Sequence, residues 1–186
     1  MPIYAYIMVA CWIIFLLTWF FFSLSAKKTI RRDYRSIGSR IAIGIFAAFL
    51  IRASMRGGQT LQIAGTHHPL LGGIATALVV LGVGIAVWAR VYIGRNWGMP
   101  MSVKESPELV TTGPYAHVRH PIYSGVMLAM LGAALYIGAW WALLFLLFTG
   151  YFAYSAKKEE ALLEKTFPAQ YPPYKERTKM FVPFVL

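Results

Sequence analysis

Residues 121–156 read PIYSGVMLAMLGAALYIGAWWALLFLLFTGYFAYSA, 36 positions without a charge. As one straight α-helix this run would be about 54 Å long, whereas the hydrocarbon core of a bilayer is only about 30 Å thick. Gly138 stands near the middle, within Tyr136-Ile137-Gly138-Ala139-Trp140. The run therefore predicts a hairpin of two short spans, roughly 122–137 and 139–156. Arg119-His120-Pro121 precedes the hairpin and Lys157-Lys158-Glu159-Glu160 follows it. Two antiparallel helices of similar length bring those flanks side by side. They gather a guanidinium, an imidazole and two carboxylates at one membrane boundary, where ionisable groups are functional candidates.

The rest of the chain agrees with a membrane reading. Its 186 residues are 58% hydrophobic and 13% charged, with a mean hydropathy of +0.57, against about 25% charged residues in a typical soluble domain. That much apolar surface also excludes disorder. Residues 4–24 are long enough for a first span. The positive charges follow it rather than precede it, unlike a cleaved signal peptide. Residues 41–51 make a short second span if it starts near Ile37 and Arg52 snorkels to the surface. Residues 70–89 make a third. The expectation is an all-α integral membrane protein of about five transmembrane helices. It forms a single domain, 1–186, with three N-terminal spans in 1–89 and the functional region in 90–186.

Charge orients these spans. Lys and Arg number 18 against 7 Asp and Glu, a net charge of +11. Six of the basic residues fall in 27–40, four in 90–120 and six in the tail after 156, leaving only Arg52 and Arg56 for the other side. The positive-inside rule then places the N-terminus outside and the polar connections and C-terminus in the cytoplasm. Topology and anionic lipid account for the basic balance, and no nucleic acid is needed. Cys11 is the single cysteine, which excludes a disulfide framework and a cysteine metal site. His67 and His68 are adjacent and cannot share a helix face as metal ligands would, so no metal is expected. Gly82-Val83-Gly84 lies inside a span, where small residues serve close helix packing better than nucleotide binding. Trp12, Trp19, Trp88, Trp140 and Trp141 suit lipid contact or the interfacial belt.

Read from residue chemistry alone, the polar flanks leave two options. Arg119, Lys157 and Lys158 are equally good as interfacial anchors, Glu159 and Glu160 as the start of a solvated helix, and Pro121 as a first-turn proline. The joint pattern is more specific. Leu109-Val110-Thr111-Thr112-Gly113-Pro114-Tyr115, then Val118-Arg119-His120-Pro121-Ile122-Tyr123-Ser124-Gly125, then Glu159-Glu160-Ala161-Leu162-Leu163 and Phe167-Pro168-Ala169-Gln170-Tyr171-Pro172-Pro173-Tyr174 resemble the isoprenylcysteine carboxyl methyltransferase family. The wider group includes phospholipid methyltransferases. The match covers about residues 90–184 in order.

The resemblance implies an S-adenosylmethionine-dependent methyltransferase. Its cofactor pocket would be cytosolic, built from the 90–120 connection and the C-terminal segment rather than a Rossmann sheet. By position it implies cofactor contacts at Pro107, Glu108, Leu109, Val110, Gly113, Tyr115, His120, Pro121, Ile122, Tyr123 and Glu159, and a catalytic group of Arg119, His120 and Glu160. The implied partner is a lipophilic or lipid-modified acceptor entering from the bilayer. The oligomeric state is not set by the sequence. The pattern departs at one place. Where the prenylcysteine enzymes carry an arginine one turn before the paired glutamates, this chain has Ser155, which cannot offer a bidentate fork to a carboxylate. A lipid amine, a thiol or another lipophilic acid stays open as acceptor. Two other classes also stay open. One is an NADPH-dependent enzyme of the sterol-reductase type, and the other is a non-enzymatic transport or assembly protein.

Overall fold

Gly138 breaks the long apolar run where its length demands. In the computed structural model, which describes residues 3–25, 27, 29–32, 44–45, 52, 68–97 and 102–183, helix α3 spans Pro121–Ile137 and α4 spans Ala139–Thr166. Gly138 has φ 120° and ψ −165°, a conformation essentially restricted to glycine. Its N–H donates to Ala134 O at 3.0 Å and closes α3. Its carbonyl accepts from Trp141 and Ala142 N–H at 3.0 and 3.1 Å and opens α4. One residue thus reverses the chain with its hydrogen bonds satisfied, as a turn at membrane depth requires.

Two further apolar helices precede the hairpin, α1 at Ile3–Leu24 and α2 at Pro69–Ile93. The protein is an all-α membrane protein. Helices α1, α2 (with its 3₁₀ extension to Asn96) and α4 are long and apolar enough to cross a bilayer, and α3 is a shorter apolar helix. The expected second span, about 37–55, falls almost wholly outside the described residues. A short helix α5, Tyr171–Arg177, follows α4. A small antiparallel ladder stands beside the helices. Its strands are β1, Thr29–Arg32, and β2, Ser102–Lys104, paired Arg31 to Val103 and Arg32 to Ser102. It ties the segment after α1 to the connection between α2 and α3.

Helix α2 packs most extensively against α3, and α1 packs on α2. The α2–α3 seam is built from small residues at helical spacing. A Cβ on Gly82 would lie 2.4 Å from Ala129 N and 2.5 Å from Gly125 O. One on Gly125 would lie 2.5 Å from Gly82 O and 2.6 Å from Ala86 N, and one on Gly132 would lie 2.6 Å from Ala75 O. The two backbones therefore touch, which gives dispersion contacts that side chains facing lipid cannot supply. Ala75, Val79, Val83, Ala129 and Tyr136, with Met8 of α1, form the buried core beside this seam. Gly84 sits on the exposed face with nothing near it, so only the first glycine of the Gly82-Val83-Gly84 run serves the packing.

Because the seam has no room for one methyl group, Gly125→Ala should destabilise the protein by about 1–3 kcal/mol through overpacking. Gly84→Ala, in open space within a helix, should be neutral or stabilising by up to about 1 kcal/mol. Thermal unfolding of the two variants in detergent checks the contrast, and equal melting temperatures would count against the seam.

Candidate active site

The hairpin brings residues 119–120 and 159–160 together. Arg119 Nε donates to Glu160 Oε1 at 2.7 Å, with both side chains nearly buried. His120 Nδ1 lies 3.7 Å from Glu159 Oε2, and His120 Nε2 lies 3.4 Å from Glu160 Oε1. The second approach is a matter of proximity, because it lacks hydrogen-bond alignment and leaves Nε2 buried without a partner. Tyr123 OH donates to Glu159 Oε1 at 2.5 Å. The His120 and Tyr123 rings stack at 5.5 Å with planes 7° apart, and Tyr123 stacks on Phe152 of α4 at 4.7 Å.

The C-terminal segment completes this cluster. Arg119 N–H donates to Lys179 O at 2.8 Å and His120 N–H to Met180 O at 3.1 Å. Ser124 Oγ donates to Phe181 O at 2.6 Å. The Arg119 guanidinium also donates through Nη1 to the carbonyls of Lys175, at 3.1 Å, and Thr178. Lys175 Nζ sits 3.3 Å from Glu160 Oε2 and 2.9 Å from Glu164 Oε1. The Glu164 hydrogen bond and the Glu160 charge hold that ammonium above its usual range. Residues 175–181 are thus strapped across the mouth of the hairpin, and Glu160 is enclosed beneath them.

Above the cluster lies a cavity of about 210 Å³. Pro107, Glu108, Leu109 and Val110 form one wall, and Arg119, His120, Ile122, Tyr123 and Glu159 form the floor. Tyr115 and Tyr174 close one side, and Leu162, Leu163, Thr166, Phe167 and Tyr171 close another. The fourth side is Ile93, Asn96 and Trp97 at the end of α2. Tyr174 OH donates to Tyr115 O at 2.7 Å and Tyr115 OH to Ala89 O at 3.4 Å. The aromatic wall is therefore fastened to both α2 and α5. Burial pushes the Tyr174 phenol up to about 12.

Trp97 is held by Arg90, whose guanidinium is fully buried. It lies 4.4 Å from the Trp97 ring and 5.3 Å from Phe22 of α1, and Nη1 donates to Gly94 O at 2.9 Å. Cation–π attraction of this kind is strongest when desolvated, so Arg90 rivets the ends of α1 and α2 to the cavity wall. Glu108 is not a free wall carboxylate. Its Oε1 accepts from Lys27 Nζ at 3.0 Å and its Oε2 from Asn96 Nδ2 at 3.1 Å. These bonds hold it below the usual carboxylate range.

Most of the residues that the sequence places in the site line this cavity, and three do not. Gly113 has φ +59°, and a Cβ there would lie 2.5 Å from the Tyr92 ring, so it serves a tight turn beneath Tyr92. Pro121 is buried as the first residue of α3. Glu160 lies behind the wall, between Arg119 and Lys175. Conversely, Ile93, Asn96, Trp97, Leu162, Leu163, Thr166, Phe167, Tyr171 and Tyr174 line the cavity outside the expected set. Leu162, Leu163, Phe167, Tyr171 and Tyr174 stand inside quoted motifs, and helical spacing from Glu159 would have found Leu162, Leu163 and Thr166. Among the described residues no group of histidine, cysteine and carboxylate side chains has the makings of a metal site.

The family model described as phospholipid methyltransferase matches residues 71–170, the segment that supplies α2, the connection, the hairpin and much of the cavity. Three curated proteins are similar to the chain. The nickel-cobalt-cadmium resistance protein NccN of Alcaligenes xylosoxydans xylosoxydans is 36% identical over 113 residues, 59% of this chain and 52% of that protein. The cobalt-zinc-cadmium resistance protein CzcN of Cupriavidus metallidurans is 30% identical over 147 residues, 77% of this chain and 63% of that protein. The protein-S-isoprenylcysteine O-methyltransferase of Schizosaccharomyces pombe is 30% identical over 115 residues, 60% of this chain and 49% of that protein. The chain spans between about half and just under two thirds of these relatives. With the family model covering more than half of it, the chain belongs to the phospholipid methyltransferase family, within the group that also takes in the isoprenylcysteine carboxyl methyltransferases.

Proposed function

We propose that the protein is an integral-membrane methyltransferase that uses S-adenosylmethionine to methylate a lipophilic acceptor reaching the site from the bilayer. The observation that carries this reading is the cavity at the polar end of the α3–α4 hairpin. It combines the Glu159 carboxylate, aromatic faces and the His120 imidazole. A zwitterionic sulfonium nucleoside needs that mixture. When bound, S-adenosylmethionine supplies a methyl group on a positively charged sulfur, open to in-line attack.

The chain's own residues bind and orient. The Glu159 carboxylate accepts hydrogen bonds from an ammonium or from hydroxyls and offsets positive charge. Tyr123, already bonded to Glu159, holds that carboxylate in place. Its ring and that of Tyr115 offer π faces to adenine or to the cation. His120 lines the cavity, and its imidazole can bond a polar group of the ligand. Arg119 and Glu160 neutralise one another, keep the C-terminal strap closed and exclude water from the floor. Alignment and desolvation supply the rate, since the displacement asks for little covalent help.

Ser155, one turn before Glu159, is fully buried and lies off the cavity wall. No guanidinium stands at that turn to clamp an acceptor carboxylate. The acceptor class is a lipophilic nucleophile, with a lipid amine or thiol as open to the site as a carboxylate. The cytoplasmic face is assigned to the cavity and the C-terminus from the distribution of Lys and Arg.

Transfer of labelled methyl from S-adenosylmethionine to a membrane extract, followed by identification of the product, tests the reading. NADPH titration in parallel tests the reductase alternative. Glu159→Ala and His120→Ala should each abolish S-adenosylhomocysteine binding in calorimetry while the protein still unfolds cooperatively. Unchanged binding would remove these residues from the site. Arg119→Ala should behave differently. It leaves the Glu160 charge buried and short of its main partner, at a cost of about 3–5 kcal/mol, so its melting temperature should fall well below those of the other two variants.

A further inference from the structure

Two polar side chains on the cavity wall were given no binding role by the resemblance. Asn96 closes the 3₁₀ turn after α2, and Tyr171 opens α5. Asn96 Oδ1 and Tyr171 OH are both cut off from solvent without a hydrogen-bond partner, and both residues line the cavity. Native proteins rarely leave such atoms orphaned, because the loss of hydration is not recovered.

The orientation of Asn96 is not arbitrary. Amide oxygen and nitrogen are told apart by their partners. The partner here is the Glu108 carboxylate, which only accepts, so the nitrogen must face it. Glu108 is held in turn by Lys27, which also donates to Ser106 O at 2.9 Å. Ser106 has φ +45°, a conformation uncommon outside glycine. The Lys27–Glu108–Asn96 chain joins three segments distant in sequence. Its consequence is that the amide oxygen of Asn96 is left without a hydrogen-bond partner.

Tyr171 is a contrast with its neighbour. Tyr174 spends its hydroxyl on Tyr115 O, whereas Tyr171 is fully buried and its hydroxyl bonds to nothing in the protein. Burial and the nearby Glu160 charge raise its pKa, so at neutral pH it is an O–H donor.

We propose that Asn96 and Tyr171 are direct binding residues for the methyl donor. Asn96 Oδ1 accepts from an N–H or O–H of the ligand, and the Tyr171 hydroxyl donates to one of its acceptors. Glu108 acts behind Asn96 as a positioning residue. The proposal rests on the methyl-donor reading above and extends it to two residues to which the resemblance assigned no contact.

The test uses the full chain in detergent, with calorimetric titration of S-adenosylhomocysteine and thermal unfolding in its absence. Tyr171→Phe removes an oxygen that bonds to nothing in the protein. Without ligand it should melt at or above the wild-type temperature, yet bind about three- to tenfold more weakly. Asn96→Ala should weaken binding by a similar factor. Glu108→Ala should weaken it too, and Glu108→Gln, which keeps an acceptor for the Asn96 nitrogen, should restore it. Wild-type affinity in Tyr171→Phe and Asn96→Ala overturns the proposal and leaves the methyl-donor reading standing, with water then satisfying both atoms. A lower melting temperature for ligand-free Tyr171→Phe also overturns its part, since the hydroxyl would then have a partner within the protein. If the wild type itself does not bind S-adenosylhomocysteine, both readings fall together.

Discussion

The buried pair between Arg119 and Glu160 is the contact on which the site depends. It joins the residue just before α3 to the part of α4 that continues beyond the apolar run, so it closes the hairpin at its polar end as Gly138 closes it at the other. Arg119 then adds backbone carbonyls from 175 and 178, and Lys175 adds its charge on the far side of Glu160. A carboxylate this enclosed is tolerable only because its charge is compensated by Arg119 and Lys175. The arrangement gives the C-terminal segment a reason to lie where it does. It becomes the lid of the ion pair, and in doing so it presents Tyr171 and Tyr174 to the cavity.

The paired glutamates divide their labour because successive residues on a helix point about 100° apart. Glu159 faces the cavity and takes the hydroxyl of Tyr123. Glu160 faces the strap and takes the guanidinium of Arg119. Identical chemistry at adjacent positions thus yields one wall carboxylate and one structural counter-ion. The same economy appears at the other end of the cavity. Arg90 is spent on Trp97 and Phe22, and Lys27 and Glu108 are spent on each other and on Asn96. Charges near this site mostly hold aromatic and polar surfaces in place, which leaves a small number of unsatisfied atoms for whatever binds there.

The membrane part works by a different rule. Helices α2 and α3 approach until their backbones touch at Gly82, Gly125 and Gly132, because in lipid the advantage of association comes from contact rather than from escape out of water. That close seam fixes the height of α3 against α2, and so sets Tyr115 and His120 relative to Ile93 and Trp97. Packing deep in the apolar layer therefore determines the width of a cavity at its edge.

The amino-acid sequence by itself determined the hairpin, the membrane class and the meeting of its two polar flanks, while its resemblance to a family implied most of the floor and one wall of the cavity. A charge-free run too long for one crossing has to turn, and the only plausible place is Gly138. Once it turns, 119–120 and 159–160 must meet. Local pattern carries that much because helix length, bilayer thickness and residue spacing are one-dimensional quantities. How Glu108 is turned, that Glu160 is enclosed by Arg119 and Lys175, and that Asn96 and Tyr171 hold unsatisfied atoms were decided by tertiary structure alone. Those outcomes depend on hydrogen-bond partners 12 to 81 residues away, and no local spacing encodes which distant group arrives to satisfy a given side chain.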